Sequence, residues 1–205
     1  GWTDTNWPDE AETLNGVEQE IALMAADYKE IFELPYDSFE EIIIKGAAVG
    51  FADAPLCEKE PYIIRYAEMI DNWAECDCFC SCIKVKKSEE DDLLRLAEGL
   101  MYRKEEFVSR VGTVLMFSKF SDEPTVRKAL AIYDRLPSGE YYRDMAVAWG
   151  ISVYCVRYPQ LIVKYLEHSP ISIAVKLAAA QKIRDSRRIS DEVKRRVTDT
   201  VNLQR

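Results

Sequence analysis

The stretch from Asp71 to Cys82 reads Asp-Asn-Trp-Ala-Glu-Cys-Asp-Cys-Phe-Cys-Ser-Cys. Trp73 and Asp77 stand four residues apart, one turn on a helix, so an indole face and a carboxylate would point the same way. Two later residues can join them. Arg110 sits in Phe-Val-Ser-Arg-Val-Gly and Trp149 in Met-Ala-Val-Ala-Trp-Gly. Two aromatic faces, one carboxylate and one guanidinium would suit a flat, cationic ligand. Aromatic faces attract a cation by about 0.5–2 kcal/mol each. Each residue also has an ordinary use: the tryptophans as core, Asp77 as a surface or Lys-paired carboxylate, Arg110 as an interhelical ion-pair partner.

The same stretch alternates Cys76, Cys78, Cys80 and Cys82. Zinc sites pair cysteines at a spacing of roughly two to four residues and add a second pair further on. No second pair follows here, and His168 is the only histidine. On a helix Cys76/Cys80 and Cys78/Cys82 form pairs on different faces, which reads first as small helix residues. A thiol metal or redox sensor is the minor alternative, and no metal ligand set is assigned.

Two basic groups are candidate phosphate contacts. Lys84, Lys86 and Lys87 close the helix predicted over residues 73–85, and Arg184, Arg187 and Arg188 precede a helix start near Ser190. A helix N-terminus favours an anion. Each cation alone reads equally as a solvated face. Tyr141 and Tyr142 read as packing residues.

The elements that position these groups are all helical. With 205 residues, 48% of them hydrophobic, the chain can bury a core. No apolar run reaches the roughly 18–20 residues of a membrane helix. The acidic, polar opening shows no signal sequence, so the expected place is the cytoplasm, and disulfides are not expected there. Gly1 in place of Met reads as a remnant, with residues missing before it. Net charge is −9, divided as −15 over residues 1–82 and +6 over residues 83–205. An acidic chain argues against nucleic-acid binding, and the basic second part weakens that objection.

Residues 1–15 read as an extended or frayed lead. Helices are then predicted over 17–34, 37–52, 59–70 (Pro61 in the first turn), 73–85, 88–101, 104–120, 122–136, 140–158, 159–168, 171–183 and 191–201. Pro35, Pro55 and Pro159 punctuate them. Asp37 or Ser38 caps the second, and Ser88 with Asp91 forms a capping box. Residues 140–158 are apolar almost all round, as in a buried helix. No segment alternates like a strand. About ten helices with links of 2–6 residues, paired every 35–45 residues, predict an all-α fold: an α-solenoid, or superhelix, of HEAT-like repeats forming a single domain over 1–205. A non-repeating bundle is the alternative.

Asn-Trp-Ala-Glu-Cys-Asp-Cys-Phe-Cys, Phe-Val-Ser-Arg-Val-Gly-Thr-Val-Leu, Tyr-Tyr-Arg-Asp-Met-Ala-Val-Ala-Trp-Gly-Ile-Ser and Gln-Lys-Ile-Arg-Asp-Ser-Arg-Arg-Ile-Ser together resemble the AlkD-like family of bacterial DNA alkylation repair glycosylases, HEAT-like repeat proteins. The resemblance covers residues 30–200 or so. It implies a catalytic set of Trp73, Asp77, Arg110 and Trp149 on the concave surface. The family's usual Gly-x-Pro-x-x-x-Arg-type segment is not recognisable, and family members are more basic.

The resemblance implies monofunctional hydrolysis of the N-glycosidic bond of N3-methyladenine and N7-methylguanine in duplex DNA, without cofactor or metal, by a monomer. A purine alkylated on a ring nitrogen already carries positive charge and leaves without a general acid. What remains is the oxocarbenium-like sugar, which a fixed carboxylate stabilises more than the ground state. Asp77 would do this and orient water, Trp73 and Trp149 would face the sugar and the lesion, and Arg110 would hold a phosphate. No enclosing base pocket is needed, unlike base-flipping enzymes. The competing expectation is a non-catalytic HEAT-like scaffold that binds a protein or nucleic acid through its concave face.

Overall fold

The computed structural model describes residues 27–204. The predicted lead over 1–15, and most of the helix predicted over 17–34, lie outside them. Among the described residues the protein is all-helical, with eleven α-helices, one short 3-10 turn and no strand. They fall into two compact units, 27–115 and 116–204.

The first unit holds α1 (Tyr28–Glu33), α2 (Phe39–Phe51), α3 (Leu56–Met69), α4 (Trp73–Cys82), the 3-10 turn Lys87–Glu89, α5 (Glu90–Met101) and most of α6 (Glu106–Lys119). Local chemistry starts each helix. Ser38 caps α2: its hydroxyl accepts from the Glu41 amide, and the Glu41 carboxylate accepts from the Ser38 amide at 3.0 Å. Such a cap stabilises by about 1 kcal/mol.

Two starts differ from the sequence reading. Helix α3 begins at Leu56, so Pro61 lies in its second turn rather than its first. Burial of Leu56 and Lys59 draws the earlier residues into the helix. The Leu56 amide is capped from far along the chain, donating to Glu89 Oε1 at 2.7 Å. The same carboxylate accepts from the Lys86 amide at 3.0 Å. This double use of Glu89 winds residues 87–89 into the 3-10 turn, so Ser88 does not form the predicted capping box and α5 starts at Glu90.

The second unit holds α7 (Glu123–Tyr133), α8 (Tyr141–Arg157), α9 (Pro159–His168), α10 (Ile173–Asp185) and α11 (Asp191–Asn202). Asp122 caps α7, accepting from the Thr125 amide at 3.0 Å. Ser172 and Ser190 cap α10 and α11. Pro159 ends one helix and starts the next, since its fixed φ suits a first turn and it has no amide to satisfy.

The main contacts in both units run between neighbouring helices and between helices two apart. In the first unit α2 packs on α4 and α3 on α5; in the second α8 packs on α10 and α9 on α11. Leu56, Ile63, Phe79, Leu93 and Met101 fill the first core, and Val126, Tyr133, Ile151, Leu166 and Ile183 the second. Each large apolar side chain so buried contributes about 1.5–3 kcal/mol.

Candidate functional site

The site is built around the start of α4. The Asn72 side chain accepts from the Glu75 amide at 3.0 Å, and the Glu75 carboxylate reaches back to the Asp71 amide at 3.4 Å. This reciprocal cap makes Trp73 the first helical residue, with its side chain 42% exposed. The opposite face of α4 is anchored. Phe79 packs on Tyr66 with ring centroids 4.2 Å apart, and the buried Cys80 thiol donates to the Val111 carbonyl at 3.7 Å.

Asp77, one turn beyond Trp73, lies at the seam between α4 and α6. Arg110 meets it as a fork. Its Nε donates to Oδ1 at 3.2 Å, and one terminal nitrogen donates to Oδ1 and Oδ2 at 2.9 Å each. The Arg110 side chain is 6% exposed and that of Asp77 21%. A fork between guanidinium and carboxylate is short, charge-assisted and directional, so it fixes the carboxylate plane. Arg110 therefore engages a carboxylate within the fold, where the family resemblance gives it a phosphate.

Helix α6 reaches this position because Gly112 has no side chain. A Cβ there would stand 2.5 Å from the Met101 amide nitrogen and 2.6 Å from the Ala97 carbonyl of α5. Ser109, beside Arg110, donates to the Met101 carbonyl at 2.8 Å. The ion pair thus rests on a rigid contact of two helices.

The cysteines divide by face. Cys76 and Cys80 are buried, Cys78 is exposed and Cys82 half-buried. Burial, then the hydrogen bond to Cys80, pushes the Cys76 thiol well above its ordinary pKa, and burial followed by the Asp77 charge pushes up that of Cys78. Both therefore stay thiols near neutral pH, and thiols are poor nucleophiles and poor metal ligands. Among the described residues no group of three or more His, Cys, Asp and Glu side chains is placed to hold a metal ion.

Trp149 belongs to the second unit. It is half-buried on α8, with Phe117 edge-on at 4.7 Å and 61°. Beside it, Gly150 makes room for Tyr133, whose hydroxyl would stand 2.5 Å from an added Cβ. Tyr141, read from sequence as a packing residue, is 67% exposed at the first position of α8 and meets Tyr142 edge to face at 5.1 Å. The start of α8 turns Tyr141 outward and buries Arg143 in its place, at 3% exposure.

The basic groups are exposed but differ. Lys84 lies over the Phe51 ring at 4.4 Å, and the Lys86 ammonium is 3.9 Å from Asp53, while Lys87 is exposed. Arg184 donates to the Gln181 side chain, and Arg187 and Arg188 are exposed in the link between α10 and α11. No helix is long and apolar enough to cross a membrane among the described residues.

Sequence reasoning missed the buried cations. Lys45 donates to the Phe32 carbonyl at 2.6 Å and to the Leu34 carbonyl, closing the end of α1. Lys59, 1% exposed, donates to the Ala52 carbonyl at 3.1 Å and the Lys84 carbonyl at 2.5 Å. Desolvation lowers the pKa of both. The only sequence signal is position: each lysine falls on its helix's apolar face, where a charge is out of pattern.

No protein-family model, curated protein or solved structure matches the chain.

Proposed function

We propose that this chain is a HEAT-like repeat DNA glycosylase that hydrolyses the N-glycosidic bond of cationic alkylated purines in duplex DNA. One observation carries the reading: the Asp77 carboxylate is clamped by Arg110, is 21% exposed and sits one turn from the exposed indole of Trp73. A carboxylate that cannot turn away is suited to charge that develops during reaction, because it costs no reorganisation at that moment. As the bond from the sugar carbon to the purine nitrogen breaks, its electron pair neutralises the base. The cationic sugar is left to the carboxylate, and water then adds to it and releases a proton to solvent. Trp73 offers its face to that cation. Arg110 acts as a positioning residue for Asp77, and the family resemblance assigns Trp149 to the lesion.

The stacking of every second helix in each unit supports the HEAT-like solenoid. The second unit suits the DNA backbone. Residues 116–204 carry 15 Lys and Arg against 10 Asp and Glu, whereas residues 27–115 carry 11 against 20. Arg184, Arg187 and Arg188 are the leading phosphate contacts, ahead of Lys84, Lys86 and Lys87.

The test is release of N7-methylguanine and N3-methyladenine from methylated duplex DNA at low salt, where phosphate contacts are strongest. The parent is expected to release both. Asp77→Asn, which keeps size and one hydrogen bond, is expected to lose at least about 100-fold in rate, roughly 2.7 kcal/mol of transition-state stabilisation, while its circular dichroism stays that of the parent. No release by the parent would end the enzyme reading.

The same ion pair favours a second reading. Arg110 is buried and its fork satisfies Asp77 inside the fold, so the pair has a structural use without catalysis. The chain is then a non-catalytic helical scaffold, and Asp77→Asn changes its stability with no activity to lose.

A further inference from the structure

Helices α3 and α5 leave an open groove of about 420 Å³ between them. One face of α3 lines it (Leu56, Glu60, Ile64), and on α5 the lining runs from Asp92 through Leu96, Gly99 and Leu100 to Arg103 just past the helix end. Eleven residues of helical rise make it roughly 16 Å, three turns, long. Leu56, Leu96 and Leu100 form an apolar floor that also belongs to the core.

Gly99 is the feature that packing does not explain. It lies inside α5, where glycine costs about 1 kcal/mol relative to alanine. Elsewhere in the unit a helix glycine is required by contact: a Cβ on Gly46 would strike the Tyr66 ring at 2.5 Å, and one on Gly112 the α5 backbone. A Cβ on Gly99 meets nothing within 4 Å. No neighbour needs the gap, and the gap opens into the groove. A missing side chain midway along a groove lets another backbone approach closely.

Charge selects the occupant. The lining carries Glu60 and Asp92 against Arg95 and Arg103, and Glu68 and Glu105 add two carboxylates beside Arg103. Of the cations at the groove, Arg95 is held by Asp92, and Arg103 by Glu68 at 2.8 Å and Glu105 at 3.0 Å. Glu60 has no ion-pair partner among the described residues. The geometry points to a docking groove for a basic amphipathic α-helix of a partner protein, laid between α3 and α5 with its apolar stripe on the half-exposed Ile64 above the leucine floor, its backbone over Gly99 and a cation at Glu60. This is helix-in-groove recognition, and it stands whether or not the glycosylase reading does.

The experiment uses the full chain and a fluorescein-labelled 16-residue peptide, helical in design, with leucines at i, i+3, i+4 and i+7 and lysines on the flanks, read by fluorescence anisotropy. The parent is expected to bind saturably. Gly99→Leu, which fills the groove without changing charge, is expected to bind at least 10-fold more weakly. Gly99→Ala keeps most of the space and is expected to stay within threefold of the parent. Glu60→Lys is expected to weaken the lysine peptide at least fivefold and to favour the same peptide carrying glutamates. Thermal unfolding confirms that each variant is folded. Absence of saturable binding by the parent, or equal binding by Gly99→Leu, overturns the proposal. Equal binding with unchanged charge would mark the attraction as unspecific.

Discussion

The two units bury the same kinds of polar side chain and differ in surface charge. The first, residues 27–115, hides Lys45 and Lys59 on backbone carbonyls, Arg110 on Asp77, and the phenols of Tyr28 and Tyr66. The second, residues 116–204, hides Arg143, Lys176 and the phenols of Tyr133 and Tyr154. Tyr133 and Tyr154 are almost fully buried, and their hydroxyls lie close to one another without a well-formed hydrogen bond. The difference lies in the balance of charge, acidic on the first unit and basic on the second. Stacking helices on every second neighbour thus sets a fold without setting its charge. A first unit with an excess of carboxylates suits a positively charged lesion or peptide. A second unit with arginines outside suits phosphates.

The contrast breaks most sharply at Arg110. Arg110→Met removes one partner of a mostly buried pair and takes the charge-assisted fork from Asp77. Loss of a fully buried pair costs about 3–5 kcal/mol, and with Asp77 partly open the low end, about 3 kcal/mol, is expected. Urea unfolding followed by circular dichroism reads it as a lower midpoint at unchanged slope. A loss below about 1 kcal/mol would make the pair a surface contact in energetic terms.

The next largest effect belongs to the second unit. Replacing Arg184, Arg187 and Arg188 together by alanine is expected to weaken duplex binding at low salt by about 10–100-fold. If all three meet phosphates, the slope of log affinity against log salt should flatten by up to about 2.7. The same change at Lys84, Lys86 and Lys87 is expected to do less. Equal effects would remove the division of labour between the units.

The smallest effect is at Tyr133. Burial raises the pKa of Tyr133, Tyr154 and Tyr165 in the second unit and of Tyr66 in the first. Each phenol stays protonated in the folded chain while its unfolded form ionises near pH 10. Stability is therefore whole below pH 10 and falls as pH rises above it, by about 1.4 kcal/mol per pH unit for each such tyrosine. Tyr133→Phe is expected to change stability at pH 7 by less than about 1 kcal/mol, since its hydroxyl lacks a well-formed bond. The variant should also flatten the decline between pH 10 and 11. An unchanged decline would mean that Tyr133 ionises in the folded protein.

The helices were legible because their signals are local. Ser38 with Glu41, Asp122 before Pro124 and Pro159 at a junction each act within a few residues. The pairing of Asp77 with Arg110 was legible only as an alternative among others, since their 33-residue separation carries no periodic signal. Ser88 misled because its competitor, Glu89, is recruited by the amide of Leu56 from another hairpin. Lys45 and Lys59 show in the sequence only as charges out of pattern, because their partners are carbonyls freed by helix ends, which exist only once the neighbouring helices have formed. Tyr141 was misplaced because the rotational start of α8, which turns it outward and buries Arg143, is not written in composition.

Lys59 also bears on how the chain assembles. Its ammonium joins the carbonyl of Ala52, seven residues back, to that of Lys84, 25 residues ahead. The second bond closes only when two successive hairpins have docked, so Lys59 is buried before completion with one partner missing. Such distant contacts form after local ones, because chain closure must come first. Lys59 therefore makes neighbouring hairpins unfold together, and a chain cut or spliced between them would carry a desolvated charge at the join rather than a clean module boundary.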